Sequence, residues 1–132
     1  VVGKVAGAVN SSGYVNIDFC KKKQKAHRLV WFYVTGEWPQ KQIDHINLTR
    51  SDNRFENLRE CSYQQNQANT LLRQINTSGF KGVSLCKVTQ RWRARIRING
   101  KVKCLGRYSS RDEAHKAYAD ASNSAHGEFS KP

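Results

Sequence analysis

Hydrophobic and polar residues alternate most regularly between residues 92 and 98. At strand period, one face carries the apolar residues Trp92, Ala94, Ile96 and Ile98, and the other face carries Arg93, Arg95 and Arg97. Asn99-Gly100 then forms a strong hairpin signal, and a return strand is predicted over residues 101–105. With an earlier strand over residues 82–87, this pattern predicts a three-stranded antiparallel sheet.

A helix is predicted to cover the apolar face of this sheet. Ser110 and Glu113 have the spacing of a capping box, which marks a helix start. The residues that follow at helical spacing are mostly small: Ala114, Ala117, Tyr118, Ala121 and Ala125. Small side chains let the helix lie close to the apolar face of the sheet. The arginine-bearing face on the other side is therefore expected to stay open.

The first half of the chain predicts shorter elements. Ser11-Ser12-Gly13 predicts a hairpin over residues 9–19, followed by a basic stretch over residues 21–25. The apolar residues between His27 and Thr35 predict a helix that is stopped by Gly36 and Pro39. A strand near Ile43 and a turn-rich loop over residues 47–53 come next.

A second helix is predicted to begin after Ser62, which has capping-box spacing to Gln65. Its expected apolar stripe runs from Ala68 to Ile75. Turn residues between Gln74 and Gly79 then indicate a boundary, so we expect two small domains, residues 1–73 and 77–132.

The charge balance favours a polyanionic partner. The chain has 23 Lys and Arg against 10 Asp and Glu, a net charge of +13 over 132 residues. DNA, RNA and anionic membranes all fit this charge. The chain has no apolar run long enough to span a membrane and no secretion signal, so a cytoplasmic location in a bacterial or phage-infected cell is expected. Its four cysteines form no Cys-x-x-Cys pair and are expected to be free and buried.

Asp44, His45, Asn57 and Asn66 carry the candidate chemistry. Histidine needs the least tuning to act as a general base at neutral pH, so His45 is the candidate base. A hard cation such as Mg²⁺ takes carboxylate and carbonyl oxygens and keeps several waters, so Asp44 and one asparagine oxygen suffice. His27 begins an apolar stretch and is read either as a packed histidine or as a further catalytic group.

Several segments in fixed order resemble the HNH endonucleases, most closely the phage homing type, over about positions 11 to 70. They are His27-Arg28-Leu29-Val30-Trp31, Ile43-Asp44-His45-Ile46, Asp52-Asn53-Arg54 and Glu56-Asn57-Leu58-Arg59. The resemblance implies a ββα-metal (His-Me) finger in which His45 activates a water, Asn57 anchors the loop, and Asp44 and Asn66 hold Mg²⁺ or Mn²⁺.

Residues 77–129 resemble the DNA-binding domain of plant ethylene-response factors. The matching segments include Thr77-Ser78-Gly79-Phe80-Lys81-Gly82-Val83, Trp92-Arg93-Ala94-Arg95-Ile96 and His126-Gly127-Glu128-Phe129. The resemblance implies that the sheet lies in the DNA major groove, with Arg95 and Arg97 at contact positions. Across the chain, the residues expected to contact DNA are Arg93, Arg95, Arg97, Lys81, Lys87, Lys101, Lys103, Arg54 and Arg59.

Together these patterns predict an α+β protein, a ββα-metal finger followed by a three-stranded antiparallel sheet packed on one helix. The predicted function is a metal-dependent DNA endonuclease that cuts one strand per active site, as a monomer or a transient dimer on double-stranded DNA. The alternative is a non-catalytic DNA-binding regulator or recombination accessory protein with a degenerate HNH finger. RNA binding is less favoured because the arginine face has no exposed aromatic residues for base stacking.

Overall fold

The structure is a computed structural model that describes residues 6–132, so the first five residues of the predicted first domain lie outside it. The chain forms two compact units that divide between Tyr63 and Gln64. This division lies before the boundary that the turn residues 74–79 predicted. The described residues form a mixed α/β structure with three antiparallel sheets and three α-helices.

The first sheet of the first unit has three strands, β1 (Ala8–Val9), β2 (Val15–Phe19) and β3 (Lys22–Lys25). The predicted β1–β2 hairpin is therefore confirmed. The basic stretch forms β3, for which no strand was predicted. It pairs along β2 from Asn16 opposite Lys25 to Phe19 opposite Lys22, so backbone pairing with a neighbour overrides the low strand propensity of lysine.

Helix α1 (Ala26–Thr35) follows β3 without a loop. It ends at Gly36, whose left-handed conformation (φ 77°) lets its N–H donate to the carbonyl of Phe32. The predicted helix is thus confirmed. Its first turn is buried at Ala26 and His27, and Trp31 packs against Phe55 with ring centroids 5.3 Å apart.

Strands β4 (Gln42–His45) and β5 (Leu58–Cys61) form a two-stranded antiparallel sheet. A short 3-10 helix, Phe55–Asn57, leads into β5. The register places Asp44 opposite Arg59 and His45 opposite Leu58. The strand pair and the loop over residues 46–54 therefore fix the position of the Asp-His pair.

Helix α2 (Tyr63–Ala68) is much shorter than the sequence pattern predicted. Leu71 is 74% exposed and Ile75 is 84% exposed, so the expected continuation of the apolar stripe is wrong. Helices that are shorter than about 12 residues need tertiary packing to persist. The exposed side chains of Leu71 and Ile75 provide no such packing, and the helix ends at Ala68.

The second unit contains the three-stranded sheet predicted by alternation, with strands β6 (Val83–Cys86), β7 (Arg91–Ile98) and β8 (Lys101–Tyr108) in that order. Helix α3 (Arg111–His126) begins with the predicted capping box, and a 3-10 helix, Gly127–Phe129, follows it. The core of this unit is formed by Val83, Ala94 and Ala114, with partly buried side chains around them: Phe80, Trp92, Leu105, Tyr108 and Tyr118.

A β-bulge interrupts the pairing of β7 with β8. Ala94 pairs with Gly106 and Arg95 pairs with Cys104, so Leu105 is the extra residue. The bulge reverses the faces of the residues that follow it. Arg107 consequently lies opposite Arg93, although strict alternation from Lys101 would put it on the other face.

The four cysteines are free, but only Cys61 is fully buried. Burial raises the pKa of the Cys61 thiol to about 11. Cys20 and Cys104 are exposed, so the prediction of buried thiols is wrong for them, since a turn and an open sheet face hold these two residues. Within residues 6–132, no helix is long and apolar enough to cross a membrane.

Candidate nuclease site

Asp44 and His45 end strand β4 and are both buried, each with 4% of its surface exposed. Successive residues on a strand point to opposite faces, and the two side chains accordingly have different partners. Arg59 donates from Nε and from its terminal NH₂ group to Oδ2 of Asp44, at 3.1 Å in both cases. His45 Nε2 lies 3.0 Å from Oδ1 of Asn53.

The Asn53 contact favours one tautomer of His45. Asn53 donates its amide N–H to the carbonyl of Ser51 at 3.3 Å, which turns its oxygen toward the imidazole. An amide oxygen only accepts, so Nε2 of His45 carries the proton and Nδ1 holds the lone pair of the neutral ring. In this tautomer Nδ1 is the basic nitrogen of the ring.

Asn57 cross-links the loop between β4 and β5. Its Oδ1 accepts from the backbone N–H of Asn47 at 3.0 Å, and its Nδ2 donates to Oδ1 of Asn47 at 3.0 Å and to the carbonyl of Asp52 at 2.7 Å. The Asp52 carboxylate pairs with Arg54 at 2.8 Å, and this hydrogen bonding holds the pKa of Asp52 well below its usual range. The loop that carries Asn53 is thus held at both ends.

Two further rings lie beside His45. The His27 ring packs edge-on against it, with centroids 5.1 Å apart, and the Tyr14 ring is 6.1 Å away. His27 is 4% exposed, and its Nδ1 has no hydrogen-bond partner among the described residues. Burial, followed by the charge of His45 and then of nearby basic residues, lowers the pKa of His27 to about 4. His27 is therefore neutral near pH 7.

The residues expected to hold a metal differ in their placement. Asp44 lies in the first compact unit, whereas Asn66 lies on α2 within the second and is half-buried. No cluster of three His, Cys, Asp or Glu side chains occurs within residues 6–132, so a zinc-type cage is not built there. Magnesium needs only one or two protein oxygens and keeps its waters, so a buried carboxylate and an amide oxygen match its donor preferences.

The arginine face of β7 is open at Arg95 and Arg97. Arg93 is half-buried, and its Nε has no hydrogen-bond partner among the described residues. Arg107, which sequence reasoning missed, is exposed on the same face because of the bulge. A Leu-Gly pair within a strand is a signal that could have indicated this bulge.

The predicted DNA-binding lysines are distributed differently. Lys101 and Lys103 are exposed, but they pair with Ile98 and Ile96, which puts them on the opposite face of the sheet from Arg95. Lys87 is exposed in the turn after β6. Lys81 is directed inward and donates to the main-chain carbonyls of Ala68 and Lys131, and burial lowers its pKa.

The two predicted DNA-binding arginines of the first unit already have acidic partners. Arg59 holds Asp44, and its side chain is only 12% exposed. Arg54 is exposed and holds Asp52, which leaves part of its guanidinium facing solvent. Asn53 and Tyr14 are the residues of this site to which sequence reasoning gave no role, although Asn53 stood within a matching segment.

Comparison with known proteins gives two matches. The profile of the HNH endonuclease family matches residues 24–68, a span that contains all four candidate site residues. Protein 3.8 of Escherichia phage T7 is 33% identical over 81 residues, which cover 61% of this chain and 67% of the phage protein. No solved structure matches the chain. These comparisons lend no support to the resemblance of residues 77–129 to ethylene-response factors.

Proposed function

Because the chain belongs to the HNH endonuclease family, we propose that it is a metal-dependent endonuclease that hydrolyses phosphodiester bonds of double-stranded DNA at His45. The observation that carries this proposal is the hydrogen bond between His45 and Asn53, because it leaves the lone pair on Nδ1.

In the proposed reaction, Nδ1 of His45 removes a proton from the attacking water. The ring then becomes positively charged, and Asn53 Oδ1 stabilises it by accepting the Nε2 hydrogen throughout. Asn57 acts through the loop, because its three hydrogen bonds hold the segment that carries Asn53. Tyr14 and His27 restrict the rotation of the ring.

Asp44 is the residue of the first unit that would hold Mg²⁺ or Mn²⁺, and the ligand role of Asn66 stays an expectation from the sequence resemblance. When bound, the ion supplies positive charge that stabilises the phosphate oxygens and the leaving oxygen. Arg59 keeps the Asp44 carboxylate in a defined orientation through its two N–H donors. One such site acts on one phosphodiester, so a monomer is expected to nick one strand.

We further propose that the open sheet face of the second unit binds the DNA. Arg95, Arg97 and Arg107 all project from it, and arginine suits both phosphate contacts and recognition of guanine. The net charge of +13 favours association with any polyanion, whereas a clustered face selects an orientation.

One feature of the site favours the alternative function, a DNA-binding protein that does not cleave. Asp44 and His45 are each 4% exposed, and Asp44 is already paired with Arg59. A DNA phosphate can reach these groups only after the covering side chains move. A protein whose finger had lost catalysis would keep such a closed arrangement permanently.

A plasmid-nicking assay tests the proposal. Supercoiled DNA with Mg²⁺ should be converted to the nicked form, chelator should abolish this conversion, and His45→Ala should slow it about 10²–10⁴-fold because a general base is removed. Asn53→Ala should give a smaller reduction in the same assay. The matched control is His126→Ala, which removes a histidine from the second unit and should cut like the wild type.

Two results would contradict the proposal in different ways. Equal cutting rates in the wild type and His45→Ala would remove His45 from the mechanism. DNA binding without cleavage at any concentration of Mg²⁺ or Mn²⁺ would instead support the non-catalytic alternative.

A further inference from the structure

The turn between β2 and β3 presents a basic tip that the proposed reaction does not use. Lys21, Lys22 and Lys23 are all exposed, and Phe19 beside them is 50% exposed. Asp18 pairs with Lys23 in the strand register, yet no ion pair involves these lysines within residues 6–132. The three lysines outnumber the one neighbouring carboxylate of Asp18, so the tip keeps a net positive charge.

The backbone of this turn is unfavourable for the residues that form it. Phe19 pairs with Lys22, so Cys20 and Lys21 form a two-residue turn, and both are left-handed, with φ of 49° and 62°. Such a turn favours Asn-Gly or Gly-Gly, because a Cβ is strained in this region. The turn therefore holds Lys21 in a strained conformation at the exposed tip.

The base of the hairpin is attached to the candidate nuclease site. Lys25 Nζ lies 4.4 Å from the centroid of the Tyr14 ring, and this ring packs against His27 and His45. Arg50 covers Tyr14 at 5.0 Å and donates to the carbonyl of Ser12 at 2.8 Å. The hairpin is thus held at the nuclease site, and its tip projects away from it.

The length of the hairpin sets the distance between the two sites. Phe19 follows Tyr14 by five residues, and at about 3.3 Å per residue the tip lies about 16 Å from the Tyr14 ring. Because one turn of B-DNA spans about 34–36 Å, this distance is about half a helical turn. Phosphates recur about every 3.4 Å along each strand, so a duplex that lies along the hairpin from His45 presents phosphates of one strand or the other near the tip.

We infer that Lys21, Lys22 and Lys23 grip the phosphate backbone of duplex DNA about half a helical turn from the bond that is cut. This inference rests on the proposed nuclease function and adds a second DNA-binding surface to it. Lysines beside an exposed aromatic ring would also fit an anionic membrane. The attachment of the hairpin to the nuclease site favours DNA.

The test measures binding of a fluorescent duplex in chelator, where no cleavage occurs, across a range of salt concentrations. Changing the three lysines to alanine should lower the slope of log K against log salt by about 0.9 for each phosphate that the variant no longer neutralises. Changing them to arginine should preserve the slope. The control compares two single variants, each of which removes one exposed lysine of the first unit. Lys22→Ala should lower the salt slope, whereas Lys41→Ala, away from the tip, should lower it less.

Lys21→Gly separates a binding role from a structural one. Glycine relieves the left-handed backbone, so the melting temperature should rise while DNA affinity falls. Ethylation interference should show that ethylation of phosphates about half a turn from the proposed cleavage position weakens binding of the wild type, and this effect should be absent for the lysine-to-alanine variant.

Unchanged salt slope and unchanged interference in the alanine variant would overturn the inference, even if the wild type cuts DNA. If the alanine variant no longer binds vesicles that contain phosphatidylserine but still binds DNA like the wild type, the tip binds a membrane instead. Failure of the wild type to nick DNA would contradict the proposed function alone, because binding and its salt slope are measured without cleavage.

Discussion

His27 illustrates how a single buried residue affects stability. Its ring stabilises the position of His45 by packing against it, but its Nδ1 has no hydrogen-bond partner among the described residues. Leaving a buried polar atom unpaired costs about 1–3 kcal/mol. The unpaired Nδ1 of His27 therefore lowers the stability of the folded state, and protonation of the buried ring lowers it further.

This penalty makes the stability of the protein depend on pH. The pKa of His27 falls from 6.5 to about 4 on folding, so between these values the unfolded chain binds the proton and the folded chain does not. Stability is full above about pH 6.5 and decreases as the pH falls, by about 2 kcal/mol between about pH 7 and pH 5. Urea denaturation at both pH values measures this decrease.

His27→Phe should remove this pH dependence, because it keeps a ring against His45 without a titrating group. His126→Phe is the control and should keep the pH dependence of the wild type. An equal decrease of stability in the His27→Phe protein would show that other groups cause the acid sensitivity.

At the same scale, the sequence could predict some site residues and not others. Asp44 and His45 could be selected as candidates because of their chemistry and their position within the matching segments, and their catalytic roles stay predictions. The hydrogen bond from His45 Nε2 to Asn53 Oδ1 could not, because it depends on the path of the loop that Asn57 cross-links. Tyr14 reaches the site through the packing of a separate sheet, and such long-range packing leaves no local pattern.

At the scale of the elements, alternation was sufficient to predict strand β7 of the second unit's sheet, and the capping box was sufficient to predict the start of helix α3. Arg95, Arg97, Ala94 and Ile96 lie on the predicted faces because one side of β7 packs on a core. The shortened α2 and the bulge at Leu105 could not be predicted in this way. Both are set by packing partners and not by the local period.

Gly82 holds the sheet close to α3. A Cβ at this position would lie 2.3 Å from the Tyr118 ring and 2.4 Å from the carbonyl oxygen of Arg95, and the backbone φ is +65°. Gly82→Ala should destabilise the protein by about 3 kcal/mol, since overpacking and left-handed strain add. Thermal or urea denaturation measures this change.

Gly100→Ala is the matched control, because Gly100 also has a positive φ (75°) but has nothing within 4 Å of an added Cβ. It should cost only about 1–2 kcal/mol, from the backbone strain alone. If the two variants are equally stable, the close approach at Gly82 does not limit the packing of α3.

At the scale of the whole molecule, the distribution of charge distinguishes the sheet faces. DNA is proposed to bind the face that carries Arg95 and Arg97. Lys101 and Lys103 project from the opposite face. A purely nonspecific attraction would depend on net charge and not on the face that carries it.

Two double variants that remove equal charge test this assignment. Arg95→Ala with Arg97→Ala should weaken DNA binding and lower the salt slope by about 1.8, at about 0.9 for each phosphate. Lys101→Ala with Lys103→Ala should have a distinctly smaller effect. If the two pairs lower the slope equally in a fluorescence titration, net charge and not the arginine face governs binding.

The pairing of Asp44 with Arg59 also bears on how such a protein is made. Structural zinc proteins unfold without their ion, because uncompensated ligands remain when it is absent. Here a guanidinium already neutralises the carboxylate at 3.1 Å. The Arg59–Asp44 pair therefore lets the first unit fold without a bound divalent cation, so a chelator should leave its melting temperature unchanged.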